Sequence, residues 1–235
     1  MQKRSLIIEW YHDIRSYKKL IPALKKYPEE IIITADDDVI YDENLIKNLI
    51  KTYKKYPNCI IANRVHWASI QKDKTLLPYK KWAKLIKYKS PSHNLFFTGI
   101  GGVLYPPHCF YKDILKEDLF VKLCKDTDDI WFWCMALLKN TKIKQSNKIC
   151  NVKYIDLELE NTGLNVINCL GGNNDKNLKL MIEYYPEIIN MLSSKIVYKN
   201  KFRIFEKFIS IRNTPNKKHK VITVLGLKIK LKRRK

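Results

Sequence analysis

Short apolar runs alternate with lysine-rich polar stretches along most of this chain, and the spacing inside each run separates strands from helices. Residues 6–10 predict a short strand. Ser16 is placed to cap a helix reaching residue 26, with Leu20, Ala23 and Leu24 on its inner face and Pro22 delaying its start. The run Ile31, Ile32, Ile33 leads through Thr34 and Ala35 into Asp36, Asp37 and Asp38, and reads as a buried central strand with an acidic end. Asp42 then caps a helix to residue 56, in which Leu45, Ile46, Leu49, Ile50 and Tyr53 form an apolar stripe that Pro57 stops. Residues 59–62 predict the next strand, leading to Arg64 and His66.

Periodicity is weak over 69–94, where lysines abound, so a long surface excursion is expected there. Residues 96–105 contain Gly99, Gly101 and Gly102 and then a strand ending at Pro106 and Pro107. An apolar helix is predicted over 130–138 and a strand over 143–153. A loop at 171–175 precedes a helix over 178–185 that Pro186 ends. From residue 193 onward the chain is basic and less regular. Apolar and basic residues alternate over 227–231, and no internal repeat is present. Strands interleaved with helices indicate an α/β fold with a largely parallel sheet.

Composition narrows the class. At 235 residues the chain is long enough for one α/β domain with appendages, and a hydrophobic content of 46% excludes wholesale disorder. Forty-five Lys and Arg against twenty-three Asp and Glu give a formal net charge of +22, which favours anionic partners such as nucleic acid, acidic lipid or nucleotide-linked substrates. The six cysteines are scattered with no Cys-x-x-Cys pair, so reduced and mostly buried thiols are expected rather than disulfides or a zinc site. Residues 6–8 are too short for a signal-peptide core, since Glu9 interrupts them, and no apolar run is long enough to span a bilayer. The expected location is the cytoplasm, including the inner face of the membrane.

Chemistry concentrates in two acidic clusters. Three adjacent carboxylates at a strand end repel one another unless a cation sits among them, and hard divalent ions such as Mg²⁺ or Mn²⁺ take carboxylate and phosphate oxygens together. Open α/β sheets place ligands just beyond the carboxyl ends of their strands. Asp36 and Asp38 are therefore the expected metal ligands, with Asp37 turned toward a nucleotide ribose or a basic neighbour; a solvated acidic turn is the plain alternative. In the second cluster, Asp126, Asp128 and Asp129 stand at the start of the apolar helix. Helix capping accounts for one of them, and a general base for an attacking hydroxyl is the other reading. Gly99, Gly101 and Gly102 lack the ending of a phosphate-binding P-loop and point instead to close backbone approach. Arg64 and His66 read as structural or surface groups, and Trp131 and Trp133 as core. The last nineteen residues carry nine Lys or Arg and no acid, and their interleaved apolar positions suit either a solvated end or attachment to anionic lipid.

Taken together, residues 13–24, 33–41, 98–107, 128–131 and 173–178 resemble bacterial GT-A-type glycosyltransferases. The resemblance is strongest to the family 2-like group found in lipopolysaccharide and capsule gene clusters, spans roughly residues 6–190, and extends to the Leu225–Lys230 part of the tail. It implies a GT-A-like, Rossmann-like α/β domain over 1–190 and a basic C-terminal extension over 191–235. Relatives begin with a further strand and helix, so it also implies an N-terminally shortened fold.

By the same resemblance, Asp36 and Asp38 would hold Mn²⁺ or Mg²⁺ on a nucleotide-sugar donor, expected to be UDP-linked. Asp37 and Lys19 would contact the donor, and Gly101 and Gly102 would line the acceptor side. Asp129 would activate the hydroxyl of a glycan or lipid-linked acceptor, with inversion at the anomeric carbon, and Asp128 would bind acceptor or cap the helix. The expectation is thus a metal-dependent hexosyltransferase of surface polysaccharide synthesis, attached to an anionic membrane surface through its tail, with no nucleic-acid partner. Its rivals are a truncated, inactive GT-A remnant and a basic nucleic-acid-binding protein; the last leaves both acidic clusters without a role.

Overall fold

Successive side chains on a strand point to opposite faces, and in this chain that alternation feeds two separate hydrophobic layers. The computed structural model describes residues 7–155, 168, 171–193, 209–213, 219–224 and 227–232. The chain divides into two compact units, Met1–Val197 and Tyr198–Lys235.

In the first unit, a 3-10 turn at Arg15–Lys19 leads into α1 (Ile21–Lys26), whose Pro22 sits in the first turn where its missing N–H costs nothing. Strand β1 (Ile32–Thr34) and strand β2 (Val39–Tyr41) flank the acidic turn, and α2 (Leu45–Tyr53) follows. Then come β3 (Cys59–Ala62), β4 (Val65–Trp67), β5 (Leu95–Phe97) and β6 (Val103–Tyr105). Helices α3 (Glu117–Cys124) and α4 (Asp128–Leu138), strands β7 (Lys142–Gln145) and β8 (Val152–Tyr154), and helices α5 (Asn173–Tyr184) and α6 (Glu187–Asn190) complete the unit.

The main sheet has the order β1-β6-β3-β7. Strand β6 is antiparallel to both β1 and β3, while β3 and β7 are parallel. Strands β1, β3 and β7 therefore run one way and β6 alone opposes them, so the sheet is mixed rather than largely parallel. The carboxyl ends of β1, β3 and β7 and the start of β6 all lie along one edge. Ile60, Ala62, Val103, Tyr105 and Ile143 face the large core built on α4, in which every residue from Ile130 to Leu137 is buried. Cys59, Ile61 and Leu104 face the smaller layer under α2, with Leu45 and Leu49. Trp131 and Trp133 are core residues, their indole N–H groups donating to Ile114 O and Leu95 O. Five cysteines, Cys59, Cys109, Cys124, Cys134 and Cys150, are free and buried; Cys169 lies outside the described residues.

Several expectations are corrected. Strand β1 is the terminal strand of its sheet, not a central one, and Ile31 just before it is 44% exposed. Residues 7–10 form no strand; Ile7 and Ile8 are exposed and Trp10 is 95% exposed, because no neighbouring strand among the described residues pairs with them. Ser16 caps no helix, since the chain makes a 3-10 turn there first. In α2 only Leu45 and Leu49 of the five stripe residues are buried, and Ile46 is 56% exposed. Stretch 69–94 is no surface excursion: Tyr79, Trp82 and Ile86 enter the core, with Trp82 meeting Phe96 edge-on and Trp133 at a tilt. Residues 143–153 hold two strands in different sheets, β7 beside β3 and β8 beside β2. Helix α5 begins at Asn173 after Gly172 (φ 78°), five residues earlier than its apolar positions suggest.

In the second unit, β9 (Ile209–Asn213), β10 (His219–Val224) and β11 (Leu227–Lys232) form an antiparallel sheet in the order β11-β10-β9. Among the described residues no helix is long and apolar enough to cross a membrane.

Candidate active site

The edge at which β1 and β3 end and β6 begins gathers the acidic turn, a glycine loop and the first turn of α4. Asp36 follows β1 by two residues. Its backbone N–H donates to the Tyr41 hydroxyl at 2.8 Å, and that hydroxyl donates to Ile100 O at 3.0 Å. Tyr41 thus clips the turn to the 3-10 loop Gly99–Gly101. Asp36 Oδ1 accepts from Lys19 Nζ at 2.8 Å. Asp37 is exposed in the turn, and Asp38 is half-buried with its carbonyl accepting from Ile155 N at 2.9 Å. The Asp38 carboxylate has no hydrogen-bond or ion-pair partner among the described residues.

Helix α4 supplies the second cluster. Thr127 stands at its N-cap without a side-chain capping bond, and Asp128 and Asp129 fill the first turn. Neither carboxylate caps the helix. Asp129 Oδ1 instead accepts the Gly99 backbone N–H at 2.9 Å, and Asp128 Oδ2 lies 3.7 Å from Lys19 Nζ. Asp126 pairs outward with Arg15 at 2.9 Å. The structure therefore brings together Lys19, Asp36, Asp128 and Asp129, one ammonium among three carboxylates, from three separated segments of the chain.

The electrostatics of this group are unequal. Crowding by protein atoms, with the Asp128 charge next, pushes the Asp129 carboxyl up to about 7, even though the residue keeps a part-exposed flank; Lys19 and the Gly99 N–H pull it back only in part. Burial draws the Lys19 ammonium down, but attraction to Asp128, Asp129 and Asp36 outweighs it, so its pKa is raised and it stays charged. A proton-accepting carboxylate poised near neutrality thus sits beside a fixed positive charge.

Of the glycines, Gly99 is the one that borders this group. A Cβ there would lie 3.1 Å from Asp129 Oδ1 and 3.2 Å from Lys19 Nζ. Gly101 and Gly102, expected to line an acceptor site, are both buried; Gly101 packs on Arg64 and Gly102 (φ 84°) on Leu45. They shape the loop by close approach to protein. His66 is buried and accepts Leu85 N–H at its Nδ1, a structural role. Tyr41 is the residue that reading by motif passes over, its only signal being an aromatic hydroxyl three residues past an acidic turn. The glycine-rich stretch signals close backbone approach at Gly99 but not its N–H contact with Asp129. A surface hollow of about 500 Å³ beside Trp10 and Tyr27 includes none of the clustered aspartates.

The donor chemistry of the acidic turn fits a hard divalent cation. Asp38 offers an unengaged carboxylate, and Asp36 uses only one described contact, at Oδ1. Among the described residues no group of three or more His, Cys, Asp or Glu is arranged to hold a metal by itself. A cation at Asp36 and Asp38 would thus complete its shell with phosphate and water oxygens, as Mg²⁺ commonly does. Comparison with protein-family models, with characterised proteins and with solved structures finds no match for this chain.

Proposed function

We propose that this chain is a glycosyltransferase of GT-A-like fold, moving a sugar from a nucleotide-sugar donor to a hydroxyl of a glycan or lipid-linked acceptor. The observation that carries the reading is Asp129: a carboxylate at a helix start, pushed up to about 7 and fixed by the Gly99 N–H, next to a lysine that also holds the acidic turn. General-base catalysis is most effective when the base titrates near the working pH. The two acidic clusters, far apart in sequence, meet at the strand-end edge where open α/β sheets bind ligands.

In this reading Asp129 accepts the proton of the acceptor hydroxyl as its oxygen attacks the anomeric carbon. The bond from that carbon to the donor phosphate breaks, and its electron pair leaves with the nucleoside diphosphate. A single displacement of this kind inverts the anomeric centre. Lys19 lies where it can balance charge between the turn and the base, and Asp128 adds the negative charge that keeps Asp129 basic. Asp36 and Asp38 are the residues that would hold Mn²⁺ or Mg²⁺; when bound, such an ion supplies positive charge to a diphosphate leaving group. Asp37, exposed at the tip of the turn, is free to meet the ribose. The donor class belongs to the cytoplasm, and work at the inner face of the membrane is part of the same proposal.

Calorimetric titration of nucleoside diphosphates and nucleotide sugars, with and without Mn²⁺, tests it. Asp38→Asn should lose metal-dependent binding. Asp129→Asn should keep binding and lose transfer, and full turnover by Asp129→Asn removes the base assignment.

A further inference from the structure

We infer that two copies of this chain associate about a twofold axis, with Trp10 of each copy seated in the hollow beside Tyr27 of the other. Five tryptophans occur in the chain, and Trp67, Trp82, Trp131 and Trp133 are buried. Trp10 is 95% exposed. Beside it in sequence Ile7 is 72% and Ile8 73% exposed, and Tyr27 is 44% exposed. Large apolar side chains scattered singly over a surface are ordinary. These are not scattered: Ile7, Trp10 and Tyr27 line one hollow of about 500 Å³, with Pro22 and Ala23 of α1 beside them.

Area, shape and charge choose the partner. A large aromatic side chain buries about 150–250 Å² when it is covered. At the exposures given, Trp10, Tyr27 and the two isoleucines together present on the order of 600 Å². That exceeds the few hundred Å² that monomers ordinarily expose as one patch. Covered by its own copy, the patch removes about 1,200 Å² in all, and the polar rim adds more, which reaches the size of specific interfaces. The shape suits self-contact, because a twofold interface presents the same surface from both sides and needs a projection and a recess within it. Trp10 is the projection, and the hollow beside Tyr27, with room for an indole, is the recess. An indole inserted there meets aromatic neighbours, whose stacked or edge-on contact adds to the burial. Charge agrees. A net charge of +22 opposes contact between copies over most of the surface. At the hollow the charges are balanced, since Lys26 pairs with Glu9, and Lys18 pairs with Asp13 at 2.9 Å. Nucleic acid and acidic lipid are selected by surplus positive charge, which this face does not offer. The inference is independent of the proposed sugar transfer, and its test involves no donor.

Sedimentation velocity of the full chain at physiological salt, from about 1 to about 100 µM, tests it. The weight-average mass should rise from 27.9 kDa to twice that value and stop there. Trp10→Ala should weaken association by about a hundredfold, because each dimer loses two central anchors. So little of this side chain is packed that the fold should not suffer. Ile46→Ser removes an exposed apolar residue of α2 that does not line the hollow, and should associate like wild type. Acrylamide quenching of tryptophan fluorescence is a second readout that needs no variant, because the other four indoles are buried. Quenching should be strong in the dilute monomer and fall as the dimer forms. The inference is overturned if the chain stays monomeric over this range, if Trp10→Ala associates as wild type does, or if the mass climbs past two copies. Weak quenching in the dilute monomer also overturns it, because Trp10 is then covered by its own chain. A monomer whose Trp10 is shielded only by added phosphatidylglycerol vesicles assigns the face to lipid and overturns it as well.

Discussion

Lys19 Nζ stands 2.8 Å from Asp36 Oδ1 and 3.7 Å from Asp128 Oδ2, so one side chain from the N-terminal 3-10 turn ties the acidic turn after β1 to the start of α4. Lys19→Met removes the only ammonium in the group and leaves three carboxylates facing one another. Breaking a fully buried pair costs about 3–5 kcal/mol. Partial exposure of all three partners lowers this, and a loss of about 2 kcal/mol near neutral pH is expected from urea unfolding. The loss should shrink on acidification, as the crowded carboxylates take up protons.

Asp129 carries the opposite pH signature from an ion-paired acid. Its folded pKa lies above its unfolded one, so the folded state binds more protons between about 3.8 and about 7, and stability falls as pH rises through that window. A shift of that size corresponds to roughly 4 kcal/mol at full expression, reduced by the flank open to water. Asp129→Asn, which retains an acceptor for the Gly99 N–H, is expected to stabilise the chain by about 1–2 kcal/mol near pH 8 and to change little near pH 4. Urea midpoints at the two pH values check this, and equal midpoint shifts at both contradict it.

Alanine at the loop glycines should rank by clearance. Gly101→Ala places a Cβ 2.4 Å from Arg64 Cβ and 3.0 Å from its backbone N, where little can move. Gly99→Ala meets only Asp129 Oδ1 and Lys19 Nζ, at 3.1 and 3.2 Å, which can yield by a few tenths of an ångström. Expected losses are about 3 kcal/mol for the first and about 1 kcal/mol for the second. Thermal unfolding gives the order. Gly99→Ala should nonetheless shift any Asp129-dependent pH profile more than Gly101→Ala does.

Tyr41→Phe deletes one hydroxyl that serves two partners, accepting from Asp36 N and donating to Ile100 O. A cost of about 1–2 kcal/mol is expected for leaving both without it. The Asp36 amide should exchange with solvent markedly faster in this variant, while amides in α4 stay protected. Unchanged exchange at Asp36 would remove Tyr41 from its role as the clip.

Much of the sheet and its helices was legible because hydrophobic patterning is a local signal. The unbroken apolar runs of Cys59 to Ala62 and of α4 each announce their burial. Pairing partners are not local, and that is where the sequence misled. Three isoleucines before an acidic turn look the same at the edge of a sheet as at its centre. Tyr79, Trp82 and Ile86 lie among lysines, and only the packed Phe96 and Trp133 reveal that they are core. The polar start of α5 was hidden for a related reason. Asn177 donates to Thr127 Oγ1, and Asp175 accepts from Tyr79 N, so those polar groups are spent on distant segments rather than on a loop. In the candidate site the acids were visible and Lys19 was reached by resemblance, whereas its ties to Asp36 and Asp128, and the tyrosine and backbone amide beside them, could be placed only in three dimensions.

The free cysteines are distributed over both hydrophobic layers. Cys59 and Cys150 lie under α2, while Cys109, Cys124 and Cys134 lie in the layer around α4. Burial raises the pKa of all three thiols in the α4 layer, which keeps them unreactive while that layer is closed. An alkylating reagent followed by mass spectrometry would therefore time how often each side of the sheet breathes, residue by residue, without any introduced probe.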